Sequence, residues 1–225
     1  MIVAIDGPAG SGKSSTARAV AEHLGFRHLE SGALYRGLTF AALRAGIPTE
    51  HWDALSHDQL VKLAVRAEPD GRGFRILVGD QEVSNELRSS DVNRHVSHMS
   101  RIPAVRAWLL DGLRAAASGA DLVADGRDMG TVVFPDADVK VFLTADIETR
   151  ARRRLREDAR SDDPDSLLHE TARLAARDRS DSERPVAPLR IAPDATRIDT
   201  TNLDFDAQVE RIVGLVLARR ERPPA

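Results

Sequence analysis

The stretch that most restricts what this chain can fold into is Gly7-Pro8-Ala9-Gly10-Ser11-Gly12-Lys13-Ser14, which fits G-x-x-x-x-G-K-[ST]. Its surroundings agree with its letters. Ile2-Val3-Ala4-Ile5 before it is a short, β-branched apolar run that reads as a buried parallel strand. Residues 15–24 after it carry apolar positions at helical spacing, and Gly25 supplies a stop. Gly7, Gly10 and Gly12 let the backbone curl towards an anion, and its N–H groups, with the positive end of the helix, then face phosphate oxygens. Lys13 is expected at the β- and γ-phosphates of a nucleoside triphosphate, and the Ser14 hydroxyl on Mg²⁺. Pro8, Ala9, Ser11 and Ser15 complete the expected loop contacts.

The 225 residues suit one α/β domain, or one domain carrying an insertion. Charged residues are 30% of the chain and nearly balance at a formal −3, so no global field points to nucleic acid or a membrane. Only three lysines occur, Lys13, Lys62 and Lys140, so arginine carries almost all the positive charge and one of three lysines sits where the loop needs it. There are no cysteines, which excludes disulfides, thiolate metal ligands and thiol catalysis. No apolar run approaches a membrane span and the N-terminus enters a strand directly, so a soluble, cytoplasmic protein is expected.

In chain order, 26–29 reads as a weak strand, and a helix runs from Ser31, its expected N-cap, to about Ala45. Residues 51–67 read as one amphipathic helix with Leu55, Leu60, Leu63 and Ala64 inside. Gly73–Val78 and Gln81–Val83 around Gly79-Asp80 form a hairpin, followed by helices near 89–100 and 103–117. Strands at 121–125, 139–143 and 196–199 then alternate with helices from Asp146, over about 165–180 and over 204–220; 221–225 reads as a frayed tail. Five short strands alternating with helices imply an α/β, doubly wound five-stranded parallel sheet, with the glycine loop at the strands' carboxyl ends.

Four blocks in this order resemble the bacterial cytidylate kinases: the glycine loop, Ser31-Gly32-Ala33-Leu34-Tyr35-Arg36, Asp125-Gly126-Arg127-Asp128-Met129-Gly130-Thr131-Val132-Val133-Phe134-Pro135, and Arg184-Pro185-Val186-Ala187-Pro188-Leu189. The resemblance runs over essentially the whole chain. It implies an ATP-dependent, Mg²⁺-requiring phosphorylation of CMP and dCMP on a nucleoside monophosphate kinase fold, by a monomer. It also implies a core of about 1–58, 101–145 and 190–220, an acceptor-binding insertion of about 60–100, and a helical lid of about 146–180. By the same resemblance Arg36, Arg127 and Arg184 hold the acceptor phosphate or the transferring group, with Ser31 beside them. Asp128 and Arg106 read cytosine with Ser97 adjacent, and Asp181 binds the ribose hydroxyls with Arg177. One or two of Arg150, Arg153 and Arg154 reach the ATP phosphates while the others face solvent. Thr200 and Thr201 lie near adenine. Glu30 stands where the family pattern has Asp, and its role is left open.

Local chemistry also allows plainer readings. Arg36 fits a solvated helix position, Arg127 and Asp128 a surface pair, and Arg177 and Asp181 an i,i+4 helix pair. Two rival functions remain open on sequence: a kinase of the same fold for UMP, AMP or a metabolite, and a nucleotide-driven switch without an acceptor. The pairing of Asp128 with Arg106 argues against UMP, and the acceptor-side arginines argue against a switch.

Overall fold

A computed structural model describes residues 1–221; residues 222–225 of the expected tail lie outside the described residues. The first strand, β1 (Ile2–Asp6), is the middle of a five-stranded parallel sheet. The others are β2 (Arg27–Glu30), β6 (Leu122–Gly126), β7 (Val139–Thr144) and β8 (Thr196–Asp199), in the order β2-β6-β1-β7-β8. Side chains alternate across it. Val3, Ile5, Val123, Val141 and Leu143 join one apolar cluster, with α1 (Lys13–Leu24) and α8 (Phe205–Arg220) covering it. Ala4, Leu122 and Ala124 join the other, under α2 (Ser31–Arg44) and α5 (Pro103–Ala116). Burial on both faces explains why β1, β6 and β7 read as largely apolar runs, whereas the edge strands β2 and β8 do not. The doubly wound expectation holds.

The sharpest departure is at 51–67. A 3₁₀ turn at Thr49–Ala54 is followed by the short α3 (His57–Lys62), which Ser56 opens with a reciprocal capping box to Gln59. Leu55, Leu60 and Leu63 are buried as expected, but Ala64 is exposed with φ of 51° and ends the helix. The chain then enters β3 (Val65–Asp70), which pairs with β4 (Gly73–Val78), and β4 pairs with β5 (Gln81–Glu82). The expected hairpin is therefore two strands of a three-stranded antiparallel sheet. Alternation in Val-Arg-Ala-Glu-Pro-Asp is partial and Pro69 argues against a central strand, which hid β3.

Two contacts tie this insertion to the core. Its Leu60, Val65, Ile76, Val83, Leu87 and Val96 share the apolar cluster beneath α2 and α5. At the β3–β4 turn, Arg72 O accepts the His28 N–H of edge strand β2 at 2.7 Å, and Arg72 Nη1 donates to Glu22 O at 3.1 Å. After α4 (Ser90–Met99) and β7, two helices, α6 (Ile147–Glu157) and α7 (Pro164–Glu183), pack on one another through Ala151 and Leu174. Ala9 of the glycine loop belongs to that small cluster.

Candidate active site

The loop between β1 and α1 has the backbone its glycines demand. Gly7, Gly10 and Gly12 take φ of 152°, 73° and 86°. A Cβ on Gly7 would stand 2.1 Å from Leu143 O, so no other residue fits there. Lys13 is buried and curls back, donating from Nζ to Pro8 O at 2.6 Å. Burial, then the neighbouring Arg127, pushes its pKa well below the usual lysine value. Phosphate oxygens would relieve both penalties.

Ser14 Oγ donates to Asp125 Oδ2 at 2.6 Å, and Asp125 Oδ1 meets His28 Nε2 at 2.8 Å. With its proton given to Asp125, the Ser14 oxygen keeps lone pairs for a hard cation, so the residues present fit Mg²⁺. No group of three or more His, Asp or Glu that could hold a metal occurs among the described residues. Asp125 was missed by the sequence reading. Its signal was legible: a carboxylate ending an apolar strand beside the loop strand, in register Ile5 to Asp125.

Across the cleft, Asp128 is buried between two arginines. Arg106 Nη2 bonds its Oδ2, and Arg184 Nη2 donates to its Oδ1 at 3.1 Å. Arg106 also donates to Ser100 O at 3.1 Å and lies over the Tyr35 ring, while its buried Nε has no partner among the described residues. Burial pushes the Tyr35 hydroxyl up to about 12, so it stays a neutral donor. The turn carrying Asp128 is fixed from below: Asp6, ending β1, accepts the N–H groups of Met129 and Gly130 at 2.8 and 2.7 Å. Burial, outweighing those bonds, raises the Asp6 pKa to about 6. A Cβ on Gly126 would stand 2.5 Å from Ser31 Oγ, which itself donates to Asp125 O at 2.8 Å. Ser31 is thus the first residue of α2, with Glu30 at the cap position and no side-chain cap, and not the N-cap expected.

The remaining residues divide. Arg127 Nε donates to Asp181 Oδ2 at 2.8 Å, so neither the Arg127–Asp128 surface pair nor a hydrogen-bonded Arg177–Asp181 helix pair forms. Burial raises the Asp181 pKa, but Arg127 and Arg177 outweigh it and hold the carboxyl below its usual range. Arg177 lines the cleft with a buried Nε that has no partner among the described residues; burial, then Arg127, lowers its pKa to about 10. Arg36 points at the insertion, donating to Leu87 O at 3.1 Å and Asn93 Oδ1 at 2.6 Å. Glu30 faces Arg88 at 3.8 Å.

Three expected contacts are not in the cleft. Arg150 is neither at its mouth nor in solvent; buried, it donates to Ala9 O at 3.0 Å and Asp178 Oδ2 at 2.6 Å, clamping α6 to the loop and α7. Arg153 grips Thr200 through Oγ1 at 2.9 Å and O at 2.6 Å. Ser97 is displaced by Ser100, whose hydroxyl donates to Ser97 O at 3.0 Å. Arg154 alone of the three lid arginines lines the cleft, and it is paired with Glu157 and Asp158. Sequence reading missed Arg18, Arg88 and Arg173 on the lining; Arg173, Arg177 and Asp181 at four-residue steps on α7 were a readable stripe.

The cleft holds about 350 Å³ and is lined by ten cationic side chains but only five carboxylates, in a chain of formal charge −3. The excess is local, and it suits bound phosphates. The family model for cytidylate kinase matches residues 3–218. The chain belongs to the cytidylate kinase family. A cytidylate kinase of Exiguobacterium sp. is 44% identical over 214 residues, covering 95% of each chain. One from Mycobacterium avium is 46% identical over 226 residues, covering 98% of this chain and 97% of the other. One from Geobacillus kaustophilus is 42% identical, covering 96% of each. Membership of the cytidylate kinase family makes the chain a phosphotransferase. No described helix is long and apolar enough to cross a membrane.

Proposed function

We propose that this chain transfers the γ-phosphoryl group of ATP to CMP, and to dCMP, with Mg²⁺, as a single chain in the cytoplasm. The observation that carries the acceptor assignment is the Arg106–Asp128–Arg184 cluster, facing the glycine loop across one cleft. Asp128 accepts from the cytosine amino group and Arg106 donates to its ring acceptors; uracil, with a carbonyl and a ring N–H at those places, would set like against like. Breaking such pairs leaves buried charge unmet, which is a stronger filter than shape.

The acceptor nucleophile is a phosphate oxygen, so no general base is required. It attacks the γ-phosphorus, the bond to the β,γ-bridging oxygen breaks, and ADP leaves with that electron pair. Mg²⁺ supplies charge neutralisation on the phosphates, with Ser14 as the protein's ligand. Lys13 releases Pro8 O and meets the β- and γ-phosphates. Arg127 stands close enough to Lys13 to push its pKa down, which supports placing it at the transfer point. Arg36 and Arg184 hold the acceptor phosphate through the guanidinium edges not committed to Leu87, Asn93, Ala187 and Asp128. Asp181 receives the ribose hydroxyls beside Arg177. The insertion of about 60–100 forms the acceptor side, and 146–180 the lid, with Arg150 as its anchor and Arg154 as its mobile contact. Arg153, Thr200 and Thr201 flank the adenine end.

ADP release measured with Mg·ATP and CMP, dCMP, UMP, AMP or no acceptor tests this. Turnover with CMP and dCMP and little with UMP is expected. Equal turnover with UMP sinks the Asp128 account, and release indifferent to acceptor sinks the transfer itself.

A further inference from the structure

Asp125 is held from two sides. Its Oδ2 takes the Ser14 hydroxyl at 2.6 Å and its Oδ1 takes His28 Nε2 at 2.8 Å. A carboxylate only accepts, so the ring proton sits on Nε2. His28 is buried, and its own N–H is fixed by Arg72 O at 2.7 Å, so the ring cannot drift with its strand. Both carboxylate oxygens are therefore committed, to groups from different elements.

We propose that His28 is a positioning residue of the nucleotide–metal site. It locks the rotamer of Asp125 so that Oδ2 accepts the Ser14 proton and leaves the Ser14 lone pairs turned towards the cation. The inference rests on the phosphotransfer reading above. Without the ring, Oδ1 is a buried acceptor with nothing to accept, and the carboxylate lies within electrostatic reach of Lys13. Turning to Lys13 would free the Ser14 proton to point at the metal. Outer groups that orient a metal ligand act on metal affinity more than on the fold.

The test is equilibrium binding of ADP with excess Mg²⁺ and, separately, in EDTA, alongside CMP binding and melting temperature. His28→Leu is expected to cut the Mg²⁺-dependent gain in ADP affinity about tenfold. Affinity in EDTA and for CMP is expected to stay within about twofold. His28→Gln, whose amide N–H can reach Asp125, restores the gain. His28→Asn, polar but too short, does not, and it serves if the leucine variant fails to fold. In a Ser14→Ala background the leucine change costs nothing further. A leucine variant with the parental gain overturns the inference, as does an equal loss in Mg²⁺, EDTA and CMP binding. A parent chain whose ADP affinity ignores Mg²⁺ would instead bring down the phosphotransfer reading itself.

Discussion

The two sides of the cleft are built from different materials. The donor side is made by main chain: three glycines in left-handed or near-left-handed geometry, a helix start, and one lysine folded onto a carbonyl. The proposed acceptor side is made by side chains drawn from α2, α5, the turn after β6, and α7 with the loop beyond it, with Arg127 already on Asp181 and both Arg106 and Arg184 on Asp128. A backbone cradle recognises a group that every nucleoside triphosphate shares. A side-chain lattice whose buried carboxylates are held by named arginines can demand one base and reject another. On the proposed reading, generality and selectivity are separated in space.

Lys13→Ala tests the donor side most severely. A fall in kcat on the order of a thousandfold is expected, with CMP affinity unchanged, read by single-turnover ADP formation. Near-parental turnover would show that the backbone suffices alone. Gly7→Ala attacks the cradle without touching charge. The Cβ forces the loop off Leu143 O, and a displacement near 1 Å is expected to cost about a hundredfold in kcat/KM for ATP. CMP binding by calorimetry is expected to survive, which would confirm that the sides are independently built.

Asp128→Ala breaks the lattice. It strands Arg106 and Arg184, so kcat/KM for CMP is expected to drop about tenfold to a hundredfold while ATP affinity holds. The chain is also expected to lose about 3 kcal/mol in urea unfolding, because two buried cations lose their counter-charge. An unchanged CMP profile beside lower stability would reduce Asp128 to a structural part.

Asp6 joins the two sides, and its effect is the mildest. Its pKa is about 6 in the folded chain against an ordinary 3.8, so the folded state binds the proton more tightly. Stability through this group is therefore greatest below the ordinary value and is lost as pH rises through about 6. Relative to Asp6→Asn, the parent is expected to gain on the order of 1–2 kcal/mol between pH 7 and pH 5. A parallel pH response in both proteins would remove Asp6 from that account.

How much of this could be read from letters follows the same division. The glycine loop, all five core strands and the long helices were legible, because local pattern and tertiary fate agree there, whereas the short Ser56-capped α3 was not. β3 was not, since its residues alternate weakly and its pairing with β4 is an event at a distance. Of the side-chain partners around the cleft, Asp128 with Arg106 was legible but the others were not. Nothing local says that Arg127 takes Asp181, 54 positions away, or that Arg150 bonds Ala9 instead of a phosphate. Arg153 failed similarly, because Thr200 comes within reach only when β8 lies against β7.

The bond from His28 N–H to Arg72 O has a consequence for solubility. Strand β2 ends the parallel sheet, and edge strands invite self-association unless something covers them. Here the cover is the β3–β4 turn, through Arg72 O. Any swing of the insertion that lifts the Arg72 turn bares a donor on that rim. A substitution that unseats the Arg72 turn would therefore leave this rim open to pairing with a second copy.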